Sequence, residues 1–335
     1  MRLCGKITRH LGFDDDLLMK KVLITGGTGY LGGRLLQEIK TNHINWQVFV
    51  GTRNQTNRNI SDYSTPINTN WTSQASLDDA CKDIDIVIHL AAMDAASSKD
   101  DPVGALLMNG VATARLVNAA IRNGVSRFIY LSTSHVYGAS LVGDITENTP
   151  PNPIHPYSTS HRAGEDVVNA AGISGSIETV VIRLSNSFGA PVDPKVNCWS
   201  LLVPDLCRQC ITNQQLKLNS SGRQRRDFIT ITDACRAIIH LSEVPINKLK
   251  SLIYNVGGNY SPTIIEMAQR IKSRFECLFK KDIEILTLNN SDDEVASDFN
   301  YCTRLLFKSG FKFIANVDAE IDDLLLFCFN NYNDK

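Results

Sequence analysis

The sequence predicts an α/β fold: a doubly wound parallel sheet with helices on both faces. Three observations carry this. Short apolar, β-branched runs alternate with helical segments through the first half of the 335 residues. The runs are continuously apolar, as strands buried on both faces are. The first of them stops at a glycine cluster that opens a helix.

The elements follow in order. "KVLIT" (21–25) is the first strand, and "LLQEIKTN" after the glycines has helical spacing. "QVFVGT" (47–52), "IDIVIHLAA" (84–92), "RFIYLST" (127–133) and "ETVVIRLS" (178–185) are further strands. Helices are expected between them, notably over "GALLMNGVATARLVNAAIRNG" (104–124) and after Tyr157. Strands alternating with helices call for a parallel sheet wrapped on both faces. Gly26, Gly27, Gly29 and Gly32 in "GGTGYLGG" stand between strand and helix. There one glycine permits the turn, another admits a pyrophosphate to the backbone amides, and a third lets helix and strand pack closely. A Rossmann-type dinucleotide-binding domain is therefore expected over residues 19–185.

After Ser185 the rhythm decays into a loop, the helix "SLLVPDLCRQCITN", the strand and helix of "RDFITITDACRAIIHLSE" and the short strand "LIYNVGG". Residues 186–335 read as a smaller, mainly substrate-binding lobe intertwined with the first domain. Residues 1–18 lack the apolar core of a secretory signal and read as a disordered extension outside the fold.

Composition excludes several classes. The apolar fraction of 43%, charged fraction of 21% and net charge of −1 are those of an ordinary globular protein. No long run of either sign points to nucleic acid or an anionic membrane. No apolar stretch is expected to approach the ~20 residues of a membrane span. Nine scattered cysteines, an odd number, fit reduced thiols in a cytoplasmic protein. Cys207 and Cys210 form a CxxC in a helix, with no second pair at zinc spacing, so no metal is expected.

The second strand is where an acidic residue would take the ribose 2′-OH of NAD. Thr52 stands there instead, followed by Arg53. An arginine can pair with a 2′-phosphate that a carboxylate would repel, which favours NADP, with NAD kept open.

"PYSTSHRAGED" (156–166) places Tyr157 and His161 four apart, on one helix face. With "TGGTGYLG", "DIVIHLAA", "LSTSHVYG", "RLSNSFG" and "RRDFITITD" it makes six ordered motifs. From about Lys20 to about residue 325 the chain resembles the extended short-chain dehydrogenase/reductases, the branch of nucleotide-sugar epimerases, dehydratases and reductases. The resemblance implies a NAD(P)-dependent enzyme acting on a nucleotide-linked sugar, usually a homodimer joined through a four-helix bundle. It implies Tyr157 as the proton carrier, with Thr133 bonding the same sugar oxygen. Gly26, Gly29, Tyr30, Leu31, Gly32, Thr52, Arg53, Leu90, Ala91, Ala92, Asn109, Tyr157 and His161 would then surround the cofactor. Thr133, Ser134, His135, Asn186 and Arg226 would meet the substrate, the last two at its diphosphate.

Three departures shape the reading. Lysine, not histidine, is the pattern at position 161, where its charge depresses the tyrosine pKa. A unit charge about 5 Å away, at an effective dielectric near 20, contributes ~3 kcal/mol. Histidine would carry that charge part of the time at neutral pH. Ser134 and His135 replace the Asp-Glu that serves water elimination in the family's 4,6-dehydratases, so dehydration is not expected; His135 is a proton carrier, a substrate contact or a polar loop residue. Acidic residues in "LNNSDDEVASDFN" (288–300) stand where many members carry a second arginine. The expected activity is a 4-ketoreductase, 4-dehydrogenase or 4-epimerase. The alternatives are reduction of a non-sugar alcohol or ketone, and a non-catalytic cofactor binder.

Overall fold

The computed structural model describes residues 19–53, 63–139, 141–288 and 298–333. The extension 1–18 and most of the acidic stretch near 288–300 therefore lie outside the described residues. Seven strands form one parallel sheet: β1 (Lys20–Thr25), β2 (Trp46–Thr52), β3 (Ser64–Asn68), β4 (Ile86–His89), β5 (Arg127–Thr133), β6 (Glu178–Leu184) and β7 (Ile253–Val256). Their order is β7-β6-β5-β4-β1-β2-β3. The direction of winding reverses between β1 and β4, which opens a crevice at the carboxyl ends of those strands.

Val22, Leu23 and Ile24 of β1 are fully buried, as a central strand covered on both faces must be. β3 has no apolar run to announce it. Its "STPIN" is half-exposed and carries Pro66, tolerated because this is the sheet edge. Pairing to β2 in register Val48 to Ser64 is what makes it a strand.

Helices α1 (Tyr30–Thr41), α2 (Gln74–Ala80), α3 (Pro102–Arg122), α4 (Pro156–Ile173), α5 (Leu202–Thr212), α6 (Ile231–Glu243), α7 (Ile264–Phe279) and α8 (Val317–Tyr332) cover the sheet and build the second lobe. Leu35 and Ile39 of α1 share a core with Ala234 and Ile238 of α6 on one face. Leu77 of α2, Leu116 of α3 and Val168 of α4 pack on the other. α5, α7 and α8 enclose a separate core around Leu206, Ile271 and Leu324. Cys207 and Cys210 are buried in that core, and among the described residues no group of three or more potential ligands could hold a metal ion.

α3 corrects one expectation. At 21 residues it is long and apolar enough to cross a membrane by length and composition. The sequence hid this because Asn109, Thr113 and Arg115 interrupt the apolar run. Half of its most apolar window is buried inside the protein, where Leu116, Val117 and Ala120 join the core.

The chain leaves the sheet after β6 and returns as α6 and β7, which pairs with β6 in register Ile253 to Val181. One edge strand of the sheet thus comes from beyond Ser185. α4 is held against the sheet by a buried ion pair. Arg183 on β6 forks onto Glu165 on α4, with Nε to Oε1 at 2.9 Å and Nη2 to Oε2 at 2.7 Å. Ser132 on β5 donates to the same carboxylate at 2.6 Å.

Replacing Glu165 with alanine strands a buried guanidinium and is expected to lower stability by about 3–5 kcal/mol. Arg162, partly exposed on the same carboxylate, contributes less than about 1 kcal/mol. Urea unfolding of Glu165→Ala and Arg162→Ala measures the contrast.

Candidate active site

The crevice at the strand ends is built first from the glycine turn. Gly26 has φ +73°, and a Cβ there would lie 2.8 Å from the Ala91 amide nitrogen. A Cβ on Gly32 would lie 2.2 Å from the Gly26 carbonyl oxygen, so α1 can start this close to β1 only without one. Gly29 caps α1 with no side-chain acceptor, which leaves the first-turn amides for an anion. Tyr30 is pinned by its hydroxyl to the Gly189 carbonyl at 2.7 Å, and Leu31 is buried behind it.

Leu90, Ala91 and Ala92 follow β4 beside this turn. Leu90 donates to the Thr25 carbonyl at 3.2 Å and the Ala91 amide to Thr25 Oγ1 at 3.3 Å. Thr52 is buried at the end of β2 and Arg53 is exposed beyond it. Neither residue is a carboxylate.

Tyr157 is the second residue of α4, whose start is set by Pro156 and by a capping box between His155 and Ser158. Burial pushes the Tyr157 phenol up to about 12, against a hydrogen bond from Thr133 that lowers it. Its ring lies edge-on to His161, centroids 4.5 Å apart, and to His135 at 6.3 Å. The expected i, i+4 face is therefore formed.

A part-time charge on His161 was the expectation, and the packed site works against it. The side chain is 2% exposed. Burial, and then the neighbouring His135, push it down to about 3. At neutral pH it is an uncharged imidazole and gives Tyr157 no cationic neighbour. Its Nδ1 lies 3.2 Å from the Tyr130 hydroxyl, while Nε2 is buried without a hydrogen-bond partner among the described residues.

Asn109 sits in a π-helical turn of α3, Leu106–Ala112, a widening common at functional sites. Its Oδ1 accepts from the Met93 amide at 2.7 Å and its Nδ2 donates to Ser160 Oγ at 2.9 Å. It thereby ties the loop after β4 to α4.

Two cavities meet here. One, of about 320 Å³, is lined by Tyr30, Leu31, Thr133, Tyr157 and the segment Ser200–Pro204. The other, of about 330 Å³, is lined by Ser134, Gln224, Arg225, Arg226 and Tyr301. His135, Ser185 and Asn186 line both. Arg226 donates to Gln224 Oε1 at 3.0 Å and forms no ion pair among the described residues. His135 is open to the cavities, yet its enclosed flanks, Arg226 and His155 hold it below the usual histidine range.

Tyr130, Ser160, Gln224 and the Ser200–Pro204 segment were not anticipated. A signal for Tyr130 existed. Polar residues at 130 and 132, two apart on a buried strand, match 161 and 165, four apart on a helix. The two spacings, ~6.8 Å and ~6 Å, are nearly equal.

A profile of the NAD dependent epimerase/dehydratase family matches residues 22–257. The chain belongs to this family. Among its relatives is the dTDP-D-glucose 4,6-dehydratase of Mus musculus, 26% identical over 84% of this chain and 77% of that one. Among solved structures, UDP-N-acetylglucosamine 4-epimerase from Methanobrevibacter ruminantium, in complex with UDP-N-acetylmuramic acid, superimposes with a TM-score of 0.76. It is 21% identical and covers 93% of this chain and 98% of its own. RMD from Pseudomonas aeruginosa, complexed with NADPH, superimposes at 0.75 and is 21% identical over 93% of this chain and all of its own.

The site fits the nicotinamide dinucleotide of the epimerase/dehydratase family. A side chain at Gly32 would fill the turn, and the orphaned Nε2 of His161 is a buried polar atom that a ligand hydroxyl would satisfy. Leaving such an atom unpaired costs about 1–3 kcal/mol.

His89 and His161 are each pushed down to about 3, in both cases chiefly by burial. Unfolded, each takes up a proton near pH 6.5. Between those values the unfolded chain binds more protons, so stability falls as pH falls, by up to about 1.4 kcal/mol per pH unit for each ring. Urea unfolding from pH 6.5 to 4.5 is expected to show that slope, and His161→Gln to reduce it by up to about 1.4 kcal/mol per pH unit.

Proposed function

We propose that the protein is a nicotinamide-dependent oxidoreductase of a nucleotide-linked sugar that reduces a ketone at C4. The observation that carries this is the setting of Tyr157, edge-on to a buried histidine where the family pattern has a lysine. With its phenol pushed up to about 12 and the adjacent His161 neutral, Tyr157 is a proton donor at physiological pH. Reduction needs a donor, because the alkoxide formed as hydride arrives must take a proton. Oxidation, whether net or as the first half of an epimerisation, needs the phenolate, which is scarce here.

Thr133 and Tyr157 share the wall of one cavity, and Asn186 joins it to the cavity lined by Arg226. An arginine without a carboxylate partner suits a diphosphate. Ser134 and His135 do not supply the carboxyl pair of the dehydratases, which separates the proposal from the activity named for the mouse relative. Arg53 supports NADP(H) as the cofactor, with NAD(H) the alternative. The exposed Val103, Leu107 and Val111 of α3 suit a homodimer. The free buried thiols suit a reducing compartment, so the cytoplasm is the expected location.

Mass spectrometry of dinucleotide released from denatured protein is expected to find NADP(H). Tyr157→Phe is expected to lower ketone reduction by about 10²–10⁴. Alcohol oxidation should climb roughly tenfold per pH unit above neutrality as phenolate forms. Tightly held NAD(H) with pH-independent interconversion of two sugars would replace the reductase with an epimerase. Val103→Asp with Leu107→Asp is expected to give a monomer by sedimentation.

A further inference from the structure

A buried polar chain runs behind the site. The Ala91 amide donates to Thr25 Oγ1 at 3.3 Å, and Thr25 Oγ1 lies 2.6 Å from His89 Nδ1. His89 Nε2 lies 3.0 Å from Thr113 Oγ1, which donates to the Asn109 carbonyl at 2.7 Å. The Tyr130 hydroxyl lies 3.4 Å from that carbonyl and 3.2 Å from His161 Nδ1.

Counting protons orients the chain. Thr113 has one, directed to the Asn109 carbonyl, so it accepts from His89 Nε2–H. His89 Nδ1 then accepts from Thr25. Tyr130 also has one proton. The Asn109 and His161 carbonyls both lie farther from the Tyr130 hydroxyl, at 3.4 Å, and the second serves the backbone ladder of α4. The closest of these acceptors is His161 Nδ1, at 3.2 Å.

We propose that Tyr130 is a positioning residue: it donates to His161 Nδ1, fixes the ring as the Nε2–H tautomer, and so presents an uncharged donor to a cofactor ribose hydroxyl. The proposal rests on the dinucleotide reading of the site. The geometry supports it from both sides. Nδ1 has a partner, and Nε2 is buried with none. The titratable groups facing the ring are Tyr130 and His89 behind it and Tyr157 and His135 in front. Glu165 acts on Tyr130 and Asp94 on Tyr157, and neither forms an ion pair with His161.

The test is a long-range ¹H–¹⁵N spectrum of the full chain with ¹⁵N-labelled histidine at pH 7.5. His161 is expected to show a bare Nδ1 and a protonated Nε2. Tyr130→Phe should mix the tautomers and weaken NADPH or NAD binding by about tenfold. Wild-type dinucleotide affinity should stay flat from pH 6 to 8.5, because no charge on His161 is lost in that range.

A doubly protonated ring, an Nδ1–H tautomer, or a tautomer unmoved in Tyr130→Phe would overturn the proposal. The wild-type spectrum alone decides if the variant does not fold. Bound dinucleotide with the wrong tautomer sinks this inference and leaves the proposed function standing. The expected tautomer without binding of either dinucleotide sinks the ribose role and the proposed function together.

Discussion

The register of one helix against one strand governs the rest. α4 lies on β5 so that Ser132 and Arg183 take both oxygens of Glu165 while Tyr130 meets His161 one turn earlier. A slip by one turn would leave Arg183 without its carboxylate in the interior, and a buried unpaired charge is among the costliest defects a fold can carry. With Glu165 placed, the helix has no rotational freedom. Tyr157 must then stand at the crevice mouth beside Thr133, and Asn109 reaches Ser160 from the neighbouring α3.

The same enclosure sets the electrostatics. A slot dry enough to hold a carboxylate–guanidinium pair at one end keeps an imidazole neutral at the other, because no counter-charge among the described residues offsets the desolvation of His161. The family pattern places a flexible, charged amine here. This chain places a flat, uncharged ring, braced from behind by a phenol. The loss is an electrostatic pull on Tyr157. What remains is directional hydrogen bonding, which does not depend on a charge.

Much of this was legible in the residues. Gly26, Gly29 and Gly32 mark a turn whose close approaches exclude side chains, and such constraints leave an unmistakable spacing. Apolar runs at β1, β4, β5 and β6 announced themselves because buried parallel strands have no polar face. β3 did not, since an edge strand such as "STPIN" owes its conformation to its neighbour. The π-helical turn in α3 was invisible because periodicity reports a helix without its pitch. Arg226 and Asn186, expected at the substrate, line one cavity, and Asn186 lines the adjoining one as well. The enclosure of His161 was not legible, because desolvation belongs to the packed interior and not to the residue type. Tyr130 passed unnoticed inside an apolar strand, although its partner was the most conspicuous residue in the chain.

The return of the chain to the sheet has a consequence for how the molecule forms. β1 waits for β4, where Val22 pairs with Ile86, and β6 waits for β7, where Val181 pairs with Ile253. Arg34 on the phosphate helix is bonded to Glu320 on α8, nearly the whole chain away. Parallel pairing of this kind closes long loops before any contact repays them, which slows folding. A nascent chain that has released β6 but not β7 exposes a central strand as a raw edge, open to pairing with another molecule. Synthesis of this protein therefore passes through an interval in which self-association competes with completion of its own sheet.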